Sequence, residues 1–190
     1  GTGDFQHPKW GPEIRNELTE ISGTGVYQTK SGYPFIHQTE ISLVYTDGGK
    51  GRRVHHVVLA PSREVVDQVT EALSKKGRID YDGRPIFNIS SADFVAMLQS
   101  ISPDIEVIPA HAWTPWFSIF GSKSGFNSVE ECYEDHAQHI FALETGLSCY
   151  DEDTEVLTSD GWKKVSEITT EDSVCTLDSK TLEIMFQKVK

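Results

Sequence analysis

Little in this sequence invites the usual quick assignments. Cysteine is scarce: Cys132, Cys149 and Cys175 are the whole complement of 190 residues, and no two of them form a C-x-x-C pair. An odd, scattered set argues against a disulfide framework and leaves structural zinc no cysteine cluster to use. No apolar run approaches the ~18 residues that a membrane-spanning helix needs. The residues after Gly1 lack the basic-then-apolar layout of a secretory signal. Gly1 suits N-myristoylation, but Phe5 stands where that motif wants Ser or Thr. The expectation is a cytoplasmic protein with no membrane partner. Positive charge is also short, with 17 Lys and Arg against 29 Asp and Glu, a net charge of −12. Residues 149–190 hold ten acidic and five basic residues, which leaves −7 on the first 148. Neither part offers the basic stripe of a DNA-binding face, so a nucleic-acid function has to lean on bound cations or on another domain.

What is present suits a folded protein. A hydrophobic content of 37% and a charged content of 24% are ordinary for a globular chain. The length fits one large domain or two modest ones. Residues 12–21 place Ile14, Leu18 and Ile21 on one helical face. The run PFIHQTEISLVY predicts a strand carrying Glu40, DGGKGRR an exposed turn, and VHHVVLA a second strand that opens on His55 and His56. Residues 61–77 form the clearest helix, with Ser62 as its cap, Val65, Val66, Val69, Ala72 and Leu73 at helical spacing, and Gly77 to end it. After a loop at residues 83–85, Ser90 and Asp93 form a variant capping box for a helix with Phe94, Val95, Leu98 and Ile101 on its apolar face. IEVIP (105–109) and HIFALET (139–145) read as further strands, with His111 just after the first and Glu144 near the end of the second. Strands alternating with helices predict an α/β fold built of parallel β/α units.

In a β/α barrel the functional side chains gather at the carboxyl ends of the strands. Asp4, Glu40, His111 and Glu144 fall at or near such ends. Asp, Glu and His converging from separate strands suit a hard or borderline divalent cation, and such a site can hydrolyse phosphoesters. Taken singly, each of these residues also fits an ordinary loop or capping role. His55 and His56 are neighbours on a strand and face opposite sides, so at most one of them points into a site. They open their strand rather than end it, so spacing alone does not place either at that site. Trp113, Trp116, Phe117 and Phe120 either form a base-stacking surface or pack the inside of a long loop.

GTGDFQHPKW, TEIS, VHHVVLAPS, IPAHAWTPWFSIFG and ALETGLS, in that order, resemble the polymerase-and-histidinol-phosphatase (PHP) domain, and within it the endonuclease Q branch of archaea and some bacteria. The resemblance covers about residues 1–148, and PAHAWTPW and LETGLS are its most specific parts. It implies a distorted β/α barrel with two or three metal ions, zinc by the family pattern. It also implies nicking of DNA 5′ to deaminated bases such as uracil and hypoxanthine, or at abasic sites. By that resemblance Asp4, Glu40, His55 and His111 stand at ligand positions. His56 is the alternative to His55, His7 an outer or alternative ligand, and Glu144 a substrate-contacting or structural residue. The family's opening H-x-H and closing D-x-H motifs have no match between Gly1 and Lys190, so the expectation is a partial domain, inactive alone.

After Ser148 the pattern changes. EVLTSDGWKKV alternates in strand fashion around Ser159-Asp160-Gly161, a hairpin signature, and the remainder reads as two short β segments around Asp178-Ser179-Lys180. CYDEDTEVLTSDGWKKVSEI resembles the first splicing motif of an intein, and the following strands resemble those of its Hint fold. The resemblance covers residues 149–190. It implies that the Cys149 thiolate attacks the carbonyl of Ser148, turning the peptide bond into a thioester through an N–S acyl shift. Cys175 matches no catalytic position and is expected in the core. The domain expectation is thus residues 1–148 as a partial PHP-type nuclease domain and 149–190 as the opening of an intein that acts on its own chain. Two other readings stay open. One is a PHP-family phosphoesterase for a small substrate; the other is a non-catalytic metal-binding domain fused to an autoprocessing Hint module.

Overall fold

The computed structural model describes residues 1–81, 83–146, 154–177 and 184–189. The chain divides into two compact units, Gly1–Ser148 and Cys149–Lys190. Ser148 and Cys149 themselves lie outside the described residues. Among the described residues no helix is long and apolar enough to cross a membrane.

The first unit is mixed α/β. Helix α1 (Trp10–Glu17) begins two residues before the predicted start; its N-cap residue Lys9 makes no side-chain cap, and the His7 ring serves the free amides instead. His7 Nδ1 accepts from the amides of Lys9 and Trp10 at 3.2 and 3.4 Å. Pro12 falls in the first turn, where a missing N–H costs nothing. Leu18 is extended and ends the helix, and three two-residue strands follow: β1 (Thr19–Glu20), β2 (Tyr27–Gln28) and β3 (Pro34–Phe35). They form a small antiparallel sheet.

The principal sheet rests on one long hairpin. Strands β4 (His37–Asp47) and β5 (Lys50–Ala60) pair antiparallel over their full length, from His37↔Ala60 to Asp47↔Lys50. The connection is Gly48-Gly49, with φ of 54° and 78°. Two left-handed residues in a row match the twist of a hairpin turn, and glycine adopts them without a Cβ clash. The purely parallel reading is therefore corrected here, because a parallel crossover needs a dozen or more residues and this loop has no room for one. The short β6 (Ile86–Phe87) pairs parallel to β4, and β7 (Glu106–Pro109) pairs antiparallel to β5. The order is β6-β4-β5-β7, an open sheet rather than a closed barrel among the described residues.

Helices α2 (Arg63–Ser74) and α3 (Ser91–Ile101) start where the caps predict: Ser62 accepts from Val65 N, and Ser90 from Asp93 N. Each such cap is worth about 1 kcal/mol. Their Val69, Leu73, Phe94 and Leu98 join Ile41, Leu43, Val54 and Val58 of the hairpin in one buried cluster. Residues 139–145 are not the strand their composition predicts. The 3₁₀ turn Glu134–His139 enters this stretch and Phe141 is 73% exposed, so no packing holds a ladder there. Backbone bonds lay it beside the end of β7, from Glu144 N to the Pro109 carbonyl (3.0 Å) and from Ala112 N to the Glu144 carbonyl (2.9 Å).

The second unit is a four-stranded antiparallel sheet in the order β11-β10-β8-β9: β8 (Glu155–Thr158), β9 (Gly161–Lys164), β10 (Ser173–Leu177) and β11 (Ile184–Lys188). The β8–β9 turn falls at the predicted Ser159-Asp160, with Thr158 paired to Gly161. Asp172 ties the sheet together. Its carboxylate accepts from Lys163 Nζ (2.5 Å) and from the amide and hydroxyl of Thr169 (2.8 and 3.0 Å), and these contacts hold its pKa down at about 2. Cys175 is half-buried on β10, not in a closed core.

Candidate metal centre

The register of the hairpin builds the site. Glu40 pairs with Val57, which places His55 on the diagonal and on the same face of the sheet. His56 pairs with Pro109, the last residue of β7, and Ala110 N donates to the His55 carbonyl at 3.0 Å. His111 therefore emerges from β7 beside His55. Glu40, His55 and His111 form the one group of three potential metal-binding side chains among the described residues. His55 Nδ1 lies 3.1 Å from His111 Nε2 and 3.4 Å from Glu40 Oε1, and His111 Nε2 lies 3.8 Å from Glu40 Oε1. A tetrahedral ion with metal–ligand bonds of ~2.0–2.1 Å separates its ligand atoms by about 3.3 Å, so the triangle has the right size.

Three details suit these residues to an ion. Glu40 Oε1 is buried and has no hydrogen bond of proper alignment, although Arg84 Nε approaches to 2.7 Å. A buried carboxylate oxygen without an aligned donor has an acceptor site to spare. Burial pushes the Glu40 carboxyl up, but His55 and Arg84 outweigh burial and hold it at about 2, so it is ionised. His111 is the third. Thr114 Oγ1 sits 2.8 Å from His111 Nδ1 and 3.1 and 3.0 Å from the carbonyls of His111 and Trp116. Two carbonyls offer places for the hydroxyl proton, so Thr114 can accept from Nδ1–H, the tautomer that leaves the Nε2 lone pair toward the cluster. Burial first, then His55, lowers the His111 pKa, which favours the neutral ligand form.

The backbone around the site is strained. His111 and Phe117 have φ of 32° and 57°, and Asp4, outside the cluster, has 29°, all unusual for residues with a side chain. Glu144 steadies His111 there: its Oε2 accepts the His111 amide at 2.7 Å. Phe117 donates no proton but closes one side, its ring stacked on His55 at 4.5 Å while its carbonyl accepts the His55 amide at 3.0 Å.

The remaining sequence candidates separate by place. His56 faces the core, fully buried, with Nε2 2.8 Å from Tyr133 Oη and Phe94 beside it, and burial lowers its pKa to about 3. It lies outside the group of three, because successive residues of a strand face opposite sides. His7 caps α1 through Nδ1 and is outside the cluster. Asp4 is half-buried at the turn where its carbonyl accepts the His7 amide (2.9 Å), and it too falls outside the cluster of three. Trp113 and Trp116 are 45% and 50% exposed; Trp113 leans on Phe120 (5.6 Å) and the Arg53 guanidinium lies 5.6 Å from the Trp116 ring. Sequence reasoning missed Arg84, which looked like a loop residue between Gly83 and Pro85, and Thr114, whose role depends on a left-handed residue three places earlier.

No protein-family model matches the chain. An uncharacterised protein of Methanocaldococcus jannaschii, MJ0043, is 29% identical over 130 residues, covering 68% of this chain and 14% of that protein. Two solved structures resemble it over 80% of its length. One, an endonuclease Q in complex with a 27-mer duplex that has an abasic lesion at the active site, gives 29% identity and a TM-score of 0.64. The other, the lesion-specific endonuclease PfuEndoQ of Pyrococcus furiosus, gives 28% identity and a TM-score of 0.63. The chain spans 35% and 34% of those two chains. In fold and in sequence, then, what this chain is similar to is about a third of endonuclease Q, a lesion-specific DNA endonuclease, and it carries a Glu–His–His cluster able to hold a metal ion.

Proposed function

We propose that residues 1–148 are part of a metal-dependent DNA-repair endonuclease of the endonuclease Q kind, which nicks DNA 5′ to deaminated bases, and that Glu40, His55 and His111 are metal ligands. The observation that carries this is the buried Glu40 oxygen, short of an aligned donor and facing two imidazole nitrogens, in a chain similar to endonuclease Q over 80% of its length. Two imidazoles and a carboxylate are a borderline donor set, and zinc is the metal they suit. A bound cation supplies charge that neutralises phosphate oxygens and lowers the pKa of water near neutrality. The chain's own groups orient the rest: Thr114 fixes the His111 tautomer, Glu144 its backbone, and Phe117 shields one face of His55. Asp4, on its strained turn, is assigned to a further ligand position of a centre with two or three ions.

A net charge of −12 speaks against DNA in bulk, yet two arginines stand by residues assigned to the site. Arg84 lies against Glu40, and Arg53 lies by the exposed Trp116. Trp113 and Trp116 are assigned to stacking on an extruded base. Nicking belongs to the whole protein; with three clustered ligands, residues 1–148 alone are inactive. Zinc titration of the chain, paired with a nicking assay on duplexes holding uracil, hypoxanthine or an abasic site, tests this. Zinc binding that Glu40→Ala abolishes is the expected result, and nicking by this chain alone would refute the assignment of inactivity.

Residues 149–190 are assigned to the opening of an intein. The residues CYDEDTEVLTSDGWKKV support this, as does the division of the chain into two units at Ser148–Cys149. The Cys149 sulfur attacks the Ser148 carbonyl, a thioester forms, and the amide nitrogen becomes the free amine of Cys149. A full-length Cys149→Ala precursor should stay unspliced and lack nuclease activity; a spliced product from that variant would sink the intein assignment.

A further inference from the structure

Arg84 stands close to the candidate metal centre, and nothing in its local sequence explains why. Its backbone is anchored: the Pro85 carbonyl accepts the Ser42 amide at 3.0 Å, and β6 then runs parallel to β4 from Ser42↔Ile86. Gly83, at φ 86°, turns the chain toward the sheet just before it. The side chain is 49% exposed, yet Nε reaches 2.7 Å from Glu40 Oε1. That oxygen is also the one 3.4 Å from His55 Nδ1 and 3.8 Å from His111 Nε2. One carboxylate atom therefore faces both the guanidinium and the position a cation has to take.

The guanidinium and the ion compete for that oxygen. A cation bonded to Oε1 at ~2.0–2.2 Å would stand within about 5 Å of the guanidinium nitrogen, like charge against like charge. The Arg84 stem is long, flexible and half in solvent, so it has somewhere to go. A guanidinium displaced from a carboxylate beside a phosphoester site has one natural new partner, a phosphate oxygen, which it grips in the same forked geometry. We infer that Arg84 changes partners: it holds Glu40 in the metal-free site and grips a backbone phosphate of the nucleic acid once the ion has taken Glu40. This rests on reading Glu40, His55 and His111 as the metal ligands of a phosphodiesterase. Arg84 is then a substrate-binding residue in the loaded state and a competitor for the metal in the empty one.

The two roles predict opposite signs from one substitution. Arg84→Met keeps the stem and removes the charge. In the full chain it should bind zinc more tightly than wild type, by roughly two- to fivefold, the scale of releasing a partly exposed ion pair. With zinc saturating, it should bind a 27-mer duplex bearing one abasic site more weakly, and the slope of log affinity against log salt should fall by about 1. Arg84→Gln serves as the second variant should Met perturb folding, with circular dichroism as the check. Zinc affinity unchanged or weakened in both variants overturns the inference while wild-type zinc binding leaves the metal centre standing. An unchanged salt slope removes the phosphate role. Failure of wild type to bind zinc overturns this inference and the metal assignment together.

Discussion

Thr114→Val is the most informative single change outside the three proposed ligands. It preserves side-chain volume and removes the hydroxyl that lies 2.8 Å from His111 Nδ1. The His111 side chain is only 14% exposed, so water replaces that partner poorly. Without it Nδ1–H is unpaired, and the tautomer that carries the proton on Nε2, useless for metal binding, gains population. The hydroxyl also bonds the carbonyls of His111 and Trp116, so its loss loosens a residue already held at φ 32°. Losing such an outer partner typically costs 10–100-fold in metal affinity, about 1.4–2.7 kcal/mol. The assay is zinc titration of the full chain in competition with a chromophoric chelator, with thermal melts to confirm an intact fold. Thr114→Ser keeps the hydroxyl and should recover most of the affinity. A valine curve that overlays wild type, or a serine variant as weak as valine, would refute the reasoning.

Two further outcomes concern the fold. Leu98 is fully buried in the cluster under the hairpin, so Leu98→Ala should cost about 2–5 kcal/mol, read from urea midpoints; a loss below about 1 kcal/mol would mean the core is not packed as described. His37, on the opposite face of β4 from Glu40, lines a cavity of about 330 Å³ with Gln6 and Arg63, and neither of its ring nitrogens has a partner. Burial, then the charges of Arg63 and Arg15, lower its pKa to about 4. The unfolded chain takes up that proton near 6.5 and so binds more protons than the folded chain between about 6.5 and 4. Stability therefore falls as pH drops through that window, by up to about 3 kcal/mol, and levels off below it. His37→Phe should flatten part of this slope between pH 7 and 4.5, and parallel slopes for the two proteins would count against it.

Much of the chemistry was legible in the residues. Strand ends mark Glu40 and His111 as candidates, the His55-His56 pair enters through the family resemblance, and strand periodicity requires that at most one of the two adjacent histidines face a site. Ser62 and Ser90 predict their helix starts because a hydroxyl beside free amides is a local interaction. The Ser159-Asp160 turn is legible for the same reason. His7 went unread as a cap, since histidine is not among the usual capping residues.

The parallel β/α reading failed at residues 48–49, where two glycines close a hairpin; alternation along a strand carries no information about the direction of its neighbour.

What the sequence by itself determined, then, was the inventory: residue types, local caps and turns, and a change of pattern after Ser148. Which histidine joins the cluster was decided by partners far along the chain, Tyr133 and Phe94 drawing His56 into the core and Phe117 covering His55. The left-handed backbone at Asp4 and His111, the grip of Glu144 on the His111 amide, and the approach of Arg84 to Glu40 likewise exist only once β4, β5 and β7 are in register. Each joins groups that are remote in sequence or forces a conformation no local preference favours, and only the packing of the whole sheet stabilises them.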